Sequence, residues 1–548
     1  MFVRVKPKPN GKFSVQIVES YRRADKVGQN IIRHVGQAVT EREIQELKQL
    51  AQSIIDEMEN EKESRLPFFD PQRVLGKSNR KPPSSDTVKI KNLREEQRII
   101  TGIGDVFGKL YRDLKLDTLL AGTKKDKQWN SILESCVLAR IANPVSKRRT
   151  AALLEEDYGI KVPLEKIYRM MDIVSDRESD IKKHIARTTQ SLFKEEVDVL
   201  FFDVTTLYFE SFQADELRDF GFSKDCKFKE TQVMPALVTT TKGLPITYRL
   251  FPGNTYEGST LLHMVEELTT EYSIKNILLV ADRAMFNENN LSKMEEMGIT
   301  YIVAAKLGTL SRGLKAEILD DDYKAAAVGG ELQWINEFEH NNRRLIVSYS
   351  SRRARKDATD RQRLIHRMMR KSKDGKIKLK DLISNSGSKK FITRENSTAV
   401  VNEAKIAQDA EWDGLHGVIS NSKDIKTPAE LLGKYGDLWQ IEEAFRINKH
   451  DLKMRPIYHW TDQRIRAHIS ICFIAFAMVK QAVYRVQLQQ EPMSFEQIRN
   501  ELLHAQASIV VDIVSRKKYV IPSHVTVNQK KIYQVFGLKR SDVPSEFR

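Results

Sequence analysis

The chain of 548 residues carries 90 Lys and Arg against 74 Asp and Glu, a formal net charge of +16, with 41% hydrophobic residues. That length points to three or four domains with sizeable cores, and the charge excess to an anionic partner, nucleic acid first. Cys136, Cys226 and Cys472 lie far apart with no Cys/His cluster, which excludes a zinc module and a disulfide framework and fits a reducing cytosol. The first residues, MFVRVKPKPNGKF, contain no signal-peptide core. The most apolar run, Ile469 to Val479, is about 11 residues and too short to span a bilayer. A soluble cytoplasmic protein is expected.

Two β-rich runs, FVRVKP and KFSVQIVESY, flank Asn10-Gly11 and predict a hairpin, with a third strand near Asn30–Val35. Thr40 and Glu43 form a capping box that opens an amphipathic helix to about Lys62, closing an N-terminal module of residues 1–64. Residues 65–94 read as a basic linker. Residues 95–193 have helical periodicity, and KRRTAALLEEDYGIKVPLEKIYRMMDIV within them predicts two helices around Tyr158-Gly159. Residues 147–175 read equally as a DNA-binding helix-turn-helix, with Arg148 and Arg149 at its edge, or as an ordinary helical pair with a solvated basic rim.

The next region, 194–307, predicts the order β-β-β-α-β-α-β. VDVLFFDVTTLYFE is apolar on both faces, as a central strand requires. QVMPALVTT and LPITYRLF form a hairpin about Lys242-Gly243. The helix STLLHMVEELTTEY, the strand NILLVADR, the helix ENNLSKMEEMG and the strand TYIVAAK follow. This is the strand order of an RNase H-like α/β core. Residues 308–426 read as a β-rich basic insertion domain, in which Arg352 to Lys380 holds thirteen Lys and Arg against three Asp. Residues 427–490 return to the core with a long helix opened by Thr427, Pro428 and Glu430, and then a second helix from about Asp462 to Gln489. Residues 491–548 predict a helix near 494–506 and short strands near Tyr519 and Val525. The whole is an α+β multidomain protein.

Three carboxylates stand out of place. Asp203 and Asp282 each end an apolar strand run, where a carboxylate without a partner is costly, and the predicted order sets these strands side by side. Taken singly, each also reads as a strand-end Asp that caps the next turn. Glu442 shares a helical face with Tyr435, Leu438 and Phe445, whereas Glu443 points about a quarter-turn away and is expected in solvent. Carboxylate oxygens gathered in this way suit Mg²⁺ or Mn²⁺, and two such ions serve in-line phosphoryl displacement.

At these residues the sequence resembles a DDE transposase of the IS4 group of bacterial insertion sequences, nearest the IS1634 family. The resemblance runs through the N-terminal hairpin, IYRMMD, FFDVTTLYFE, LVADRAMF and YGDLWQIEEAFRINK, the last matching a Tyr-x2-Arg-x3-Glu-x6-Lys signature at Tyr435, Glu442 and Lys449. It implies that Asp203, Asp282 and Glu442 are the catalytic, metal-binding triad for two Mg²⁺ ions, which Mn²⁺ can replace. It implies that Tyr435 and Lys449 hold a terminal phosphate. Leu438 stands at the signature Arg, leaving Arg446 or another base to substitute, and Asp282-Arg283-Ala284 stands where the family often has Asp-Arg-Gly, with Arg283 a further DNA-binding candidate. Trp334 and Trp412 are the candidates for a base-stacking Trp of the insertion domain, beside the plainer reading of core packing. The implied reaction is cleavage at terminal inverted repeats and transfer of the 3′-OH to target DNA, by cut-and-paste with or without a hairpin. A homodimer would bring two double-stranded element ends together, at a bacterial nucleoid. The competing readings are an RNase H-like nuclease or resolvase without strand transfer, and a domesticated, non-catalytic DNA-binding protein.

Overall fold

The computed structural model describes residues 2–9, 12–23, 26–60, 88–120, 124–193, 199–209, 214–215, 217–220, 230–272, 274, 277–283, 287–370, 377–378, 390–395 and 398–547. The chain divides into two compact units, one made of residues 1–197, 204–255 and 440–548, the other of residues 198–203 and 256–439. The Asn10-Gly11 turn and most of the 65–94 segment lie outside the described residues.

The first unit opens with strands β1 (Phe2–Pro7), β2 (Phe13–Arg23) and β3 (Lys26–Ala38) in an antiparallel sheet of that order. Helix α1 (Glu41–Asn60) buries Ile44, Leu47, Leu50, Ala51 and Ile54 against Val15, Ile17 and Val35 of this sheet. Its capping box forms as expected: the Glu43 N–H donates to Thr40 Oγ1 at 3.3 Å and the Thr40 N–H to Glu43 Oε2 at 3.1 Å. The helical periodicity expected from residue 95 begins later, because β4 (Leu93–Ile100) is a strand. Helices α2 (Gly102–Asp113), α3 (Lys124–Ala142), α4 (Lys147–Tyr158), α5 (Leu164–Asp176) and α6 (Glu178–Phe193) follow.

Strand β5 (Val199–Val204) belongs to the second unit up to Asp203. In the first unit, β6 (Leu207–Tyr208) pairs with β7 (Gln232–Thr240), and β7 forms the expected antiparallel hairpin with β8 (Pro245–Pro252). Gly243 closes that hairpin at φ +70°, a conformation that favours glycine.

The second unit continues with helix α7 (Glu257–Thr270), β9 (Leu278–Ala281), helix α8 (Glu288–Glu296), β10 (Thr300–Ala304), helix α9 (Arg312–Asp320), β11 (Lys324–Val328), β12 (Glu331–His340) and β13 (Arg343–Tyr349). Helix α10 (Ser351–Met369), the small strands β14 (Ile377–Lys378), β15 (Ile392–Glu395) and β16 (Thr398–Val401), helix α11 (Glu403–Ala410), β17 (Leu415–Ser420) and helix α12 (Pro428–Gly436) complete it. Its sheet runs β11-β12-β13-β17-β10-β9-β5, with β5, β9 and β10 parallel and the remaining pairs antiparallel. Every residue of β9 is buried, as befits a parallel strand covered on both faces.

Within the 308–426 segment, strands β13 and β17 pair straight onto the core sheet through β10, and the basic stretch as far as Met369 lies in a 19-residue helix, α10. That helix is tied down by Arg361, whose guanidinium donates to both Asp413 carboxylate oxygens at 2.5 Å, while its other side presents Arg352, Arg353, Arg355, Lys356, Arg363 and Arg367 to solvent. Arg343 of β13, almost wholly buried, ties the sheet to α8 through Glu288 at 2.5 Å and Glu295 at 2.6 Å.

The first unit is completed by helix α13 (Trp439–Arg446), whose residues from Gln440 belong to it, and by a π-helical turn over Ile447–Asp451. Helix α14 (Asp462–Gln489), helix α15 (Phe495–His504), β18 (Gln506–Asp512), β19 (Lys518–Pro522), helix α16 (Val527–Val535) and β20 (Ser545–Glu546) follow. The C-terminal strand expected near Val525 is not formed. Val525 lies in the turn before α16, and β18 and β19 pair with β4 and β20 in the order β20-β19-β18-β4.

Helix α14 has the expected bounds. The helix has 28 residues, long and apolar enough by length and composition to cross a bilayer, yet nearly all of its apolar window is buried inside the protein. Three of its buried polar groups are partnered within the first unit: Ser470 with Tyr248 at 2.8 Å, Lys480 with Glu443 at 3.1 Å and Arg485 with Asp113 at 3.3 Å.

Candidate active site at the strand ends

Parallel pairing of β5 with β9 sets Phe202 opposite Ala281. The next residue on each strand is an aspartate, so Asp203 and Asp282 emerge side by side at the C-terminal edge of two central strands, which run about 4.8 Å apart. Asp203 is half-buried and Asp282 exposed, and the Arg283 N–H donates to Asp282 Oδ1 at 2.6 Å. In open α/β sheets this edge is where ligands bind, because strand termini there leave groups unpaired.

The same edge gathers residues that sequence reasoning did not single out. His416, at the start of β17, packs its ring 5.2 Å from the Tyr435 ring of α12, tilted by 48°. Burial, then Arg353, pushes the His416 imidazole down to about 4, with Asp282 acting in the opposite sense and Arg283 in the same. His416 is therefore neutral at pH 7, and Arg353 and Arg283 bring positive charge to an edge that also carries Asp203 and Asp282. The signal for His416 was absent from the sequence, since its place depends on β17 pairing beside β10 more than a hundred residues away.

Glu442 was expected on one continuous helix with Tyr435. The helix is interrupted: α12 ends at Gly436, the Leu438 N–H turns back to Tyr435 O at 3.0 Å, and α13 starts at Trp439. Gly433 and Gly436 weaken the helix at this point, and Leu438 is buried at the break. Tyr435 belongs to the second unit, while Glu442, Arg446 and Lys449 belong to the first. Glu442 is exposed. The solvated role expected for Glu443 is corrected: its carboxylate is half-buried and accepts from Lys480 Nζ at 3.1 Å, with Arg446 at 3.8 Å. Arg446 also bridges to Asp451 at 3.3 Å, and Lys449 sits in the π turn, a local irregularity common at functional sites. Among the described residues no three His, Cys, Asp or Glu side chains are clustered closely enough to hold a metal ion.

Trp334 lies on β12, edge-on to Tyr349 at 6.0 Å, and lines a cavity of about 350 Å³ with Tyr323, Asp321 and Asp413. Trp412 is half-buried in the turn before β17. In the first unit, Ser146 caps α4 by accepting from the Arg149 N–H, and Gly159 at φ +68° ends it, so the helical pair forms with α5. Arg148 is exposed, and Arg149 is bridged to Glu156 at 2.9 Å.

Residues 195–478, just over half of the chain, match the family model described as the transposase DDE domain. The chain belongs to the DDE transposases. Residues 3–65 of this transposase match the N-terminal domain of IS1634 family transposases, which places it with that family of insertion sequences. Asp203, Asp282 and Glu442 all fall within the matched DDE domain. No curated protein matches the transposase significantly. Among solved structures it is similar to the Mos1 transposase paired-end complex with left transposon end, at 12% identity and a TM-score of 0.15, over 31% of this chain and 57% of that one. The match therefore spans less than two thirds of that relative, and likeness at this level leaves the chain's own strand order to describe the fold.

Proposed function

We propose that this transposase binds the terminal inverted repeats of its element, cleaves DNA at the element ends and joins the 3′-OH to target DNA. The observation that carries this reading is the in-register emergence of Asp203 and Asp282 at neighbouring parallel strand ends. Strand β5, the hairpin β7–β8 and the crossovers through α7 and α8 support an RNase H-like description of the core. A basic chain of net charge +16 supports double-stranded DNA as the partner.

Asp203 and Asp282 offer hard oxygen donors on a rigid edge, a donor set that fits Mg²⁺ and admits Mn²⁺. Glu442 joins them as the third ligand by the signature in which it stands. When bound, two such ions stabilise the charge of an in-line phosphodiester displacement. Arg283 and Arg353 add positive charge for a phosphate at the same edge. His416 packs on the Tyr435 ring, and by the signature in which they stand Tyr435 and Lys449 hold a terminal phosphate, Lys449 as a point charge. The exposed cations of α10, with Arg148 and Arg149, track the backbone and carry no sequence information of their own. A homodimer pairing two ends, in the cytoplasm at the nucleoid, completes the proposal.

The test is cleavage of a labelled duplex that contains the DNA flanking the gene, in Mg²⁺ and in EDTA, by wild type and Glu442→Gln. Metal-dependent nicking at the boundary, lost in the variant, with joining of the end to a target plasmid, is the expected result. Nicking without joining would favour a resolvase, and tight binding without nicking a domesticated DNA-binding protein.

A further inference from the structure

Between the π turn and α14, all within the first unit, four successive residues alternate sharply. Ile457 and His459 are buried, while Tyr458 and Trp460 are 55% and 61% exposed. That is the period-2 pattern of an extended segment, with one edge anchored and the other presented. Ile457 bridges in parallel to Phe209. The His459 ring lies 5.5 Å from that of His468 and 6.4 Å, edge-on, from Tyr168. Thr461 then caps α14 by accepting from the Arg464 N–H at 3.4 Å. Two large aromatic rings are thus held outward on a fixed backbone. Single exposed hydrophobics are ordinary, but a pair on one anchored segment is a surface built for contact.

The ground behind the rings is cationic. The Arg218 guanidinium lies 5.9 Å from the Trp460 ring and that of Arg455 lies 5.5 Å from Tyr208. Lys147 is 3% exposed, and the groups acting on it are the cation Arg140 and the thiols Cys136 and Cys472, with no carboxylate. Burial, then Lys147, Arg140 and Arg464, holds the His459 imidazole down at about 3. His468 faces the same cations and the Met454 carbonyl, which accepts at 3.0 Å. The acidic groups nearby are already engaged: Asp215 with Arg218 at 2.6 Å and Asp172 with Arg464 at 3.4 Å. Those pairs neutralise Arg218 and Arg464, and the positive charge of Arg140 and Lys147 that remains behind the exposed rings suits a polyanion that also offers flat faces, which is nucleic acid with unpaired bases.

We propose that Tyr458 and Trp460 form a stacking platform for an unpaired base of the DNA, with the adjoining phosphate drawn by the positive charge of Arg140 and Lys147. This rests on the reading that the chain handles DNA, and it assigns the stacking role to a segment outside the insertion that holds Trp334 and Trp412. The platform takes any base, because every base has a stacking face.

The test uses the full-length protein and one duplex sequence, either blunt or carrying a short single-stranded 3′ tail with 2-aminopurine. Binding is followed by anisotropy at fixed salt. Wild type should favour the tailed duplex by roughly tenfold and quench the 2-aminopurine. Trp460→Ala and Tyr458→Ala should lose that preference and the quenching, with blunt-duplex affinity and circular dichroism unchanged, while Trp460→Phe keeps most of both. Equal wild-type affinity for the two duplexes, or an equal loss on both in Trp460→Ala, overturns the platform while leaving the DNA reading intact. Wild type that binds neither duplex overturns both.

Discussion

The rings of Tyr435 and His416 lie 5.2 Å apart, at the sheet edge where Asp282 and Arg353 act on the imidazole. This contact holds the ring, which Tyr435→Phe keeps and Tyr435→Ala removes. Tyr435→Phe should weaken binding of an element-end duplex. Tyr435→Ala should also lower stability by about 1 kcal/mol through the lost ring contact. Chemical denaturation of the three proteins beside duplex titration checks both statements.

Mg²⁺ held by carboxylates on two adjacent strand ends binds the folded chain and not the unfolded one. Adding Mg²⁺ should therefore raise the melting temperature of wild type, by an amount equivalent to about 2.7 kcal/mol at a hundredfold excess over the dissociation constant. Asp203→Asn and Asp282→Asn should each abolish that rise and the cleavage together. A Mg²⁺-induced rise that persists in both variants would refute the assignment.

Glu442 and Glu443 are neighbours with opposite predicted phenotypes. Glu443→Ala strands the buried ammonium of Lys480, an expected loss of about 2–3 kcal/mol in folding stability. Exposed Glu442→Gln should stay within about 0.5 kcal/mol of wild type while cleavage disappears. Guanidinium unfolding curves and single-turnover nicking on the same preparations separate the two.

His459 gives the stability a pH dependence of known sign. The unfolded chain takes up a proton on this imidazole near 6.5, whereas the fold refuses it until about 3. Between those values the unfolded state binds more protons, so acidification destabilises the protein by up to about 1.4 kcal/mol per pH unit from this group. Asp105 and Glu134, raised by burial to about 6 and about 7, act oppositely, because the fold keeps their protons at pH values where the unfolded chain releases them. The wild-type profile is thus a partial cancellation, and His459→Gln should lose less stability than wild type when pH falls from about 7 to about 5. Urea midpoints at the two pH values measure the difference.

The central strands were legible because parallel strands buried on both faces are continuous apolar runs, as VLFF and LLVA show, and an aspartate that ends such a run is conspicuous. Strand β4 was missed for the converse reason: LREEQRII exposes much of its length and offers no clean alternation. The break after Gly436 was hidden because Tyr435, Leu438, Glu442 and Phe445 keep a helical spacing across it. No local pattern could show that Glu443 rather than Glu442 has a buried partner, since Lys480 lies 37 residues away on another helix. His416 and the Tyr458–Trp460 pair owe their settings to contacts distant in sequence and became visible only with the fold.

The pairing of β4 with β18 also sets an order in time. A ribosome that has made Ile100 has more than four hundred residues still to add before Asp512 exists, roughly 20–80 s of synthesis at ordinary speed. Over that interval β4 is a nascent strand without its neighbour, while residues 256–439, contiguous along the chain, can complete most of their own sheet as they emerge. The first unit therefore matures last, and a chain cut short before residue 506 leaves it unfinished.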